Sequence, residues 1–95
     1  MGKTEIISKL ETVIQKAIGN KKKVFLHISS PKLKISKKIN PVDLDVSEIA
    51  IDIHTDDFDM ELDCSEAKVK YRDEVDCDTF EFVSGDNYIA LDCLN

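Results

Sequence analysis

Residues 4–18 read TEIISKLETVIQKAI, and their spacing decides the class of the fold. Ile6, Ile7, Leu10, Val13, Ile14, Ala17 and Ile18 fall at the i, i+1, i+4, i+7, i+8 intervals that line one side of a helix. The spacing predicts a helix over 4–19. Thr4 is placed to cap its start, and Gly19-Asn20 supplies a residue that tolerates positive φ at its end. A helix with one apolar stripe has to cover an apolar surface, and everything downstream changes to period two.

Val24, Leu26 and Ile28 alternate with Phe25, His27 and Ser29, and the same alternation runs through Leu33/Ile35, Val42/Leu44/Val46, Ile49/Ile51/Ile53, Phe58/Met60/Leu62, Val69/Tyr71, Phe80/Phe82 and Ile89/Leu91/Cys93. Strands are therefore expected at about 23–29, 32–36, 42–46, 49–54, 57–63, 67–72, 78–84 and 87–93. Parity slips by one residue at Ser47-Glu48, which marks a bulge or a turn. Ser30-Pro31 and Asn40-Pro41 are breaks, because proline has no N–H to give a ladder. The expected fold is α+β in a single domain, 1–95. One N-terminal amphipathic helix packs on one face of a mostly antiparallel, meander-type sheet of six to eight short strands.

Register follows from asking which loops keep apolar residues opposite one another. A loop at Gly85-Asp86 pairs Phe82 with Ile89 and Phe80 with Leu91. A loop at Ser65-Glu66 pairs Leu62 with Val69 and sets Asp63, Glu61 and Asp59 against Lys68, Lys70 and Arg72. A loop at Thr55-Asp56 pairs Ile53 with Phe58 and Ile51 with Met60, leaving Asp52 facing Asp59 and His54 near Asp57. The connection 36–41 brings Leu33 against Leu44 and Lys34 against Asp43.

Composition bounds the class. A chain of 95 residues with 34% charged residues, three glycines and two prolines describes one folded domain with a modest core. No apolar run approaches the roughly 20 residues of a membrane span, and Lys3, Glu5 and Lys9 interrupt the N-terminal hydrophobic positions, so a cytoplasmic protein without membrane contact is expected. Cys64, Cys77 and Cys93 include no close pair, which suits reduced structural thiols better than disulfides or a metal site. No phosphate loop, dinucleotide fingerprint, nucleophile elbow or calcium loop is present, and neither His27 nor His54 has a partner set visible in sequence. A non-enzymatic protein without cofactor or metal is expected.

Charge is uneven. Residues 1–39 hold ten lysines and two acids, a net +8, while residues 40–95 hold three bases and seventeen acids, a net −14. The expected pairings neutralise much of this, including the row Asp57, Asp59, Glu61 and Asp63. The acids left over are Asp73, Glu74, Asp76, Asp78 and Glu81, read as an acidic loop between two strands. They form the first candidate partner-binding set; Asp52, Asp57, Asp59 and Glu61 form the second. Carboxylates at such spacing can imitate the backbone of a nucleic acid and occupy the basic groove of a protein that binds one. Lys21, Lys22 and Lys23 could touch phosphates, but they also suit the negative end of the helix. With a pI near 4.8 and no aromatic platform, direct nucleic-acid binding is disfavoured.

The leading expectation is thus an acidic interaction protein, monomeric or a homodimer, with a basic protein partner that it inhibits by charge mimicry. The alternatives are a structural subunit assembling through its sheet edges and outward Phe25, Val83 and Tyr88, and a small-molecule binder or enzyme with a pocket between helix and sheet.

Overall fold

The computed structural model describes residues 2–94. Helix α1 spans Lys3–Gly19 and is followed by eight strands: β1 Val24–Ser30, β2 Leu33–Ile39, β3 Pro41–Val46, β4 Ala50–Thr55, β5 Asp59–Asp63, β6 Lys68–Glu74, β7 Cys77–Ser84 and β8 Asn87–Leu94. The class is α+β, with one helix on antiparallel sheet. The strands divide into two sheets, a five-stranded one in the order β2-β1-β8-β7-β6 and a three-stranded one in the order β3-β4-β5.

The helix forms as its periodicity requires and buries Ile6, Leu10, Ile14 and Ala17. It contacts β3 of the small sheet and β6 and β8 of the large one. Leu10 and Ile14 from the helix, Leu26, Phe80 and Leu91 from the large sheet, and Ile51, Ile53 and Leu62 from the small sheet share one core, each at 1% exposure or less. Removing such a side chain from water contributes about 1.5–3 kcal/mol, so the helix and the two sheets stabilise one another through this core.

Both helix caps differ from the sequence expectation. The N-cap is Gly2 with no side-chain cap, which leaves Thr4 inside the first turn. At the other end the left-handed residue is Lys21, with φ 55°, and not Gly19 or Asn20. Lys21 N–H donates to the Ile18 carbonyl at 3.2 Å and Lys22 N–H to the Ala17 carbonyl at 2.8 Å, the paired bonds of a Schellman turn. A side chain in that conformation costs about 1–2 kcal/mol.

The hairpin β7–β8 has the expected register, Phe80 opposite Leu91 and Phe82 opposite Ile89. The expected break after Val46 is a turn, but its two central residues are Glu48-Ile49, so Ile49 leaves the strand and is exposed; Ser47 N–H donates to the Ala50 carbonyl at 2.9 Å and Ser47 Oγ accepts from the Ala50 N–H at 3.1 Å. Three other expectations are corrected. First, β5 does not pair with β6: β5 lies beside β4 and β6 beside β7. Residues 64–67 carry the chain from one sheet to the other, with Cys64 and Ala67 at 1% and 6% exposure anchoring the crossing in the core. Second, β2 does not pair with β3. The Pro31-Lys32 loop folds β2 back onto β1, with Ser30 opposite Leu33 and His27 opposite Ser36, and Asn40 alone separates β2 from β3 as the chain changes sheet. Third, the loop between β4 and β5 falls one residue later, at Asp56-Asp57, because the Thr55 N–H donates to Phe58 O at 2.9 Å and Thr55 Oγ1 accepts from the Phe58 N–H at 3.0 Å. Ile53 therefore faces Met60, Asp52 faces Glu61 and His54 faces Asp59. The sheet is not a continuous meander, since β8 inserts between β1 and β7. In the first two cases the alternation was right and the neighbouring strand was not; in the third the neighbour was right and the turn lay one residue further on.

Candidate interaction surface

The first acidic set is a hairpin and not a loop. Asp73 and Glu74 end β6, Val75-Asp76 is a two-residue turn with Asp76 at φ 60°, and Asp78 and Glu81 lie on β7. Short polar Asp tolerates the left-handed position that such a turn demands. Cross-strand geometry then separates the five carboxylates. Asp78 is only 8% exposed and points to the core face, where it accepts a hydrogen bond from the Tyr71 hydroxyl. That bond is the main reason the Tyr71 pKa is pushed up to about 12. Glu81 faces outward and accepts from Arg72 Nε at 2.7 Å and from the Tyr88 hydroxyl at 2.9 Å. Arg72 also reaches Glu74 at 3.3 Å. Asp73 and Asp76 remain at the exposed hairpin tip.

The second set lies in a different situation from the one expected. Because β6 belongs to the other sheet, Lys68, Lys70 and Arg72 do not face Asp63, Glu61 and Asp59. The ion pairs made by lysine or arginine among the described residues both belong to Arg72, and both stay within the large sheet. The register of β3-β4-β5 places Asp43 and Asp45, then Asp52 and His54, then Asp59, Glu61 and Asp63, on the outer face of the small sheet. Carboxylates there recur about 7 Å apart along a strand and about 4.8 Å across strands. Asp52 sits between Asp45 and Glu61, a like-charge row across three strands. Asp57 lies at the exposed turn at one end of this face.

Two local devices hold the array. His54 Nδ1 meets Asp59 Oδ1 at 2.8 Å and Nε2 meets Asp45 Oδ2 at 3.3 Å, so one imidazole bridges β3, β4 and β5. Both nitrogens can donate only in the imidazolium form, and these two hydrogen bonds are the main cause of the raised His54 pKa. At the far end, Asp63 accepts from the Ser65 N–H at 2.8 Å and its hydroxyl at 2.7 Å, which lowers the Asp63 pKa.

On the outer face of the large sheet, sequence reading missed a chain of polar contacts. Ser36 Oγ lies 2.9 Å from His27 Nδ1, His27 Nε2 lies 3.0 Å from Asp92 Oδ2, and Thr79 Oγ1 donates to Asp92 Oδ1 at 2.9 Å. A neutral imidazole satisfies both its neighbours, donating to Asp92 and accepting from Ser36. The chain ties β2, β1, β8 and β7 across an open face, with the His27 and Asp92 side chains 38% and 31% exposed. The Pro31-Lys32 loop could have revealed Ser36, because a two-residue turn there fixes its register with His27. Asp92 is 65 residues from His27 and leaves no local signal.

Of the three cysteines, Cys64 and Cys93 are buried and Cys77 is half-buried; all are free thiols. Burial pushes the Cys93 thiol up to about 12. No helix among the described residues is long and apolar enough to cross a membrane. Comparison with protein families, with characterised proteins and with solved structures finds no match to this chain.

Proposed function

We propose that the protein acts by binding and that the outer face of β3-β4-β5 is its docking surface for a basic protein. The observation that carries this reading is the six carboxylates of that face, Asp43, Asp45, Asp52, Asp59, Glu61 and Asp63, none of them ion-paired to a lysine or arginine among the described residues. An array of negative charge three strands wide, held rigid by a sheet, resembles what a groove for a nucleic-acid backbone is built to receive. Such a partner would be inhibited by occupation of its groove. The exposed tip Asp73 and Asp76, with Glu74 beside Arg72, is a separate second contact, while Asp78 and Glu81 act structurally.

Affinity capture from the native cell extract tests this. Wild-type protein should retain a basic, nucleic-acid-binding protein in low salt and release it in high salt, and the captured protein should lose its nucleic acid when the complex forms. The variant Asp45→Asn/Asp59→Asn/Glu61→Gln should not retain it. Capture that survives this substitution would remove the small-sheet face from consideration, and loss on Asp73→Asn/Glu74→Gln/Asp76→Asn instead would move the contact to the hairpin tip.

Self-assembly is favoured by one separate observation. Edge strand β2 has β1 as its one ladder neighbour and exposes Leu33 at 52% and Ile35 at 37%. Lysines on the same strand oppose pairing of β2 with another β2, so a second copy would have to approach with an acidic edge. Mass measured by light scattering should then rise with concentration and fall with salt; a constant monomer mass argues against it.

A further inference from the structure

The lysines at the end of the helix are not needed to cap it. Asn20, Lys21 and Lys22 N–H groups donate to the carbonyls of Lys16, Ile18 and Ala17, so the chain's own backbone satisfies the last turn. The same turn, held at Lys21 φ 55°, folds Lys22 and Lys23 back along the helix. There they meet Lys9 and Lys16 around a cavity of about 230 Å³ between α1 and the adjoining ends of β1, β7 and β8. Half-buried Val13 and exposed Leu94, with Ala17 between them, form its accessible apolar wall, over Val24 and Cys93, which are closed to solvent. One carboxylate, Asp78, also lines the cavity, and it is engaged by the Tyr71 hydroxyl. None of the four lysines is ion-paired among the described residues. Lys9 Nζ lies 5.3 Å from the Tyr71 ring centre.

An apolar cavity of about 150 Å³ already accepts benzene, and this one is larger and rimmed by positive charge in a protein of net charge −6. We infer that the cavity between the C-terminal half of α1 and the ends of β1, β7 and β8 is a binding site for a small organic anion with an apolar body, the body against Val13, Ala17 and Leu94 and the anionic group among Lys16, Lys22 and Lys23. This site is independent of the acidic face and stands whether or not that face binds a protein.

Naphthalene-2-sulfonate followed by amide NMR is the direct test. Saturable, one-to-one binding is expected, with the largest shifts at Val13, Ala17 and Leu94. The uncharged 2-naphthylmethanol should bind at least about tenfold more weakly, because it lacks the ionic contact. Lys16→Glu/Lys23→Glu should weaken sulfonate binding by about tenfold or more. Lys32→Glu/Lys34→Glu, the same charge change on β1–β2 hairpin positions away from the cavity, should leave affinity within about twofold. Thr12→Trp, at an exposed helix position on the cavity wall, should block binding without altering charge. Shifts scattered over the surface, equal weakening by both lysine pairs, or undiminished binding in Thr12→Trp would overturn the assignment.

Discussion

The outer face of the five-stranded sheet and the outer face of the three-stranded sheet both carry acids in strand register, and they treat them differently. On the large sheet, Glu81 is held by Arg72 and Tyr88, and Asp92 by His27 and Thr79. On the small sheet, Asp52 and Glu61 stand opposite each other with Asp45 on the far side, and His54 alone relieves the charge. The difference teaches that charge density by itself does not mark a surface for binding; the cross-strand neighbour decides whether an acid is used internally or remains available.

The largest expected effects test what the two sheets share. Phe80→Ala in the large sheet should cost about 3–5 kcal/mol and Ile53→Ala in the small sheet about 2–5 kcal/mol. Because both side chains lie in one core, either substitution should lower a single denaturation transition followed by far-UV circular dichroism. Two separate transitions would mean that the sheets are energetically distinct.

Next comes the sharpest contrast, the same chemical change on the two faces. Glu81→Gln removes the charged acceptor of Arg72 and Tyr88 in a mostly covered position and should destabilise by about 1–2 kcal/mol in urea unfolding. Asp52→Asn removes a like charge between Asp45 and Glu61 and should stabilise by about 0.2–0.5 kcal/mol. Equal signs for the two substitutions would erase the distinction drawn between the faces.

The smallest effect is set by pH. In the unfolded chain His54 titrates near its ordinary value of 6.5, and in the folded protein higher. The clamp to Asp45 and Asp59 therefore contributes in full below about pH 6.5, while the carboxylates are ionised, and is lost as pH rises through the folded value. His54→Gln should flatten the dependence of stability on pH across that window, measured by urea midpoints from pH 5.5 to 8.5. An unchanged profile would show that the bridge carries no free energy.

Helix α1, the strand count and the β7–β8 register were legible because each depends on neighbours near in sequence: a period of 3.6, a period of 2, and a glycine turn. The acids of the small sheet were visible as a row, yet their lack of lysine or arginine neighbours was not, because period two says which face a side chain takes and not which strand lies beside it. The pairing of β5 with β6 satisfied every alternation and matched every charge, and it still lost to the crossing at 64–67, where burial of Cys64 and Ala67 favours a change of sheet. Exposed cross-strand ion pairs contribute only about 0.2–1 kcal/mol each, less than the burial that divides the strands between two sheets.

Local periodicity by itself determined that this chain is one helix on antiparallel strands, that its last turn is at Gly85-Asp86, and that its charge is separated along its length. Tertiary structure alone decided that the separation persists in space, with lysines around the helix end and edge strand β2, and with carboxylates across β3-β4-β5 that meet His54 but no lysine or arginine among the described residues. The physical reason is that backbone ladders and apolar packing choose strand neighbours, and the charges are left to face whatever those stronger forces place beside them.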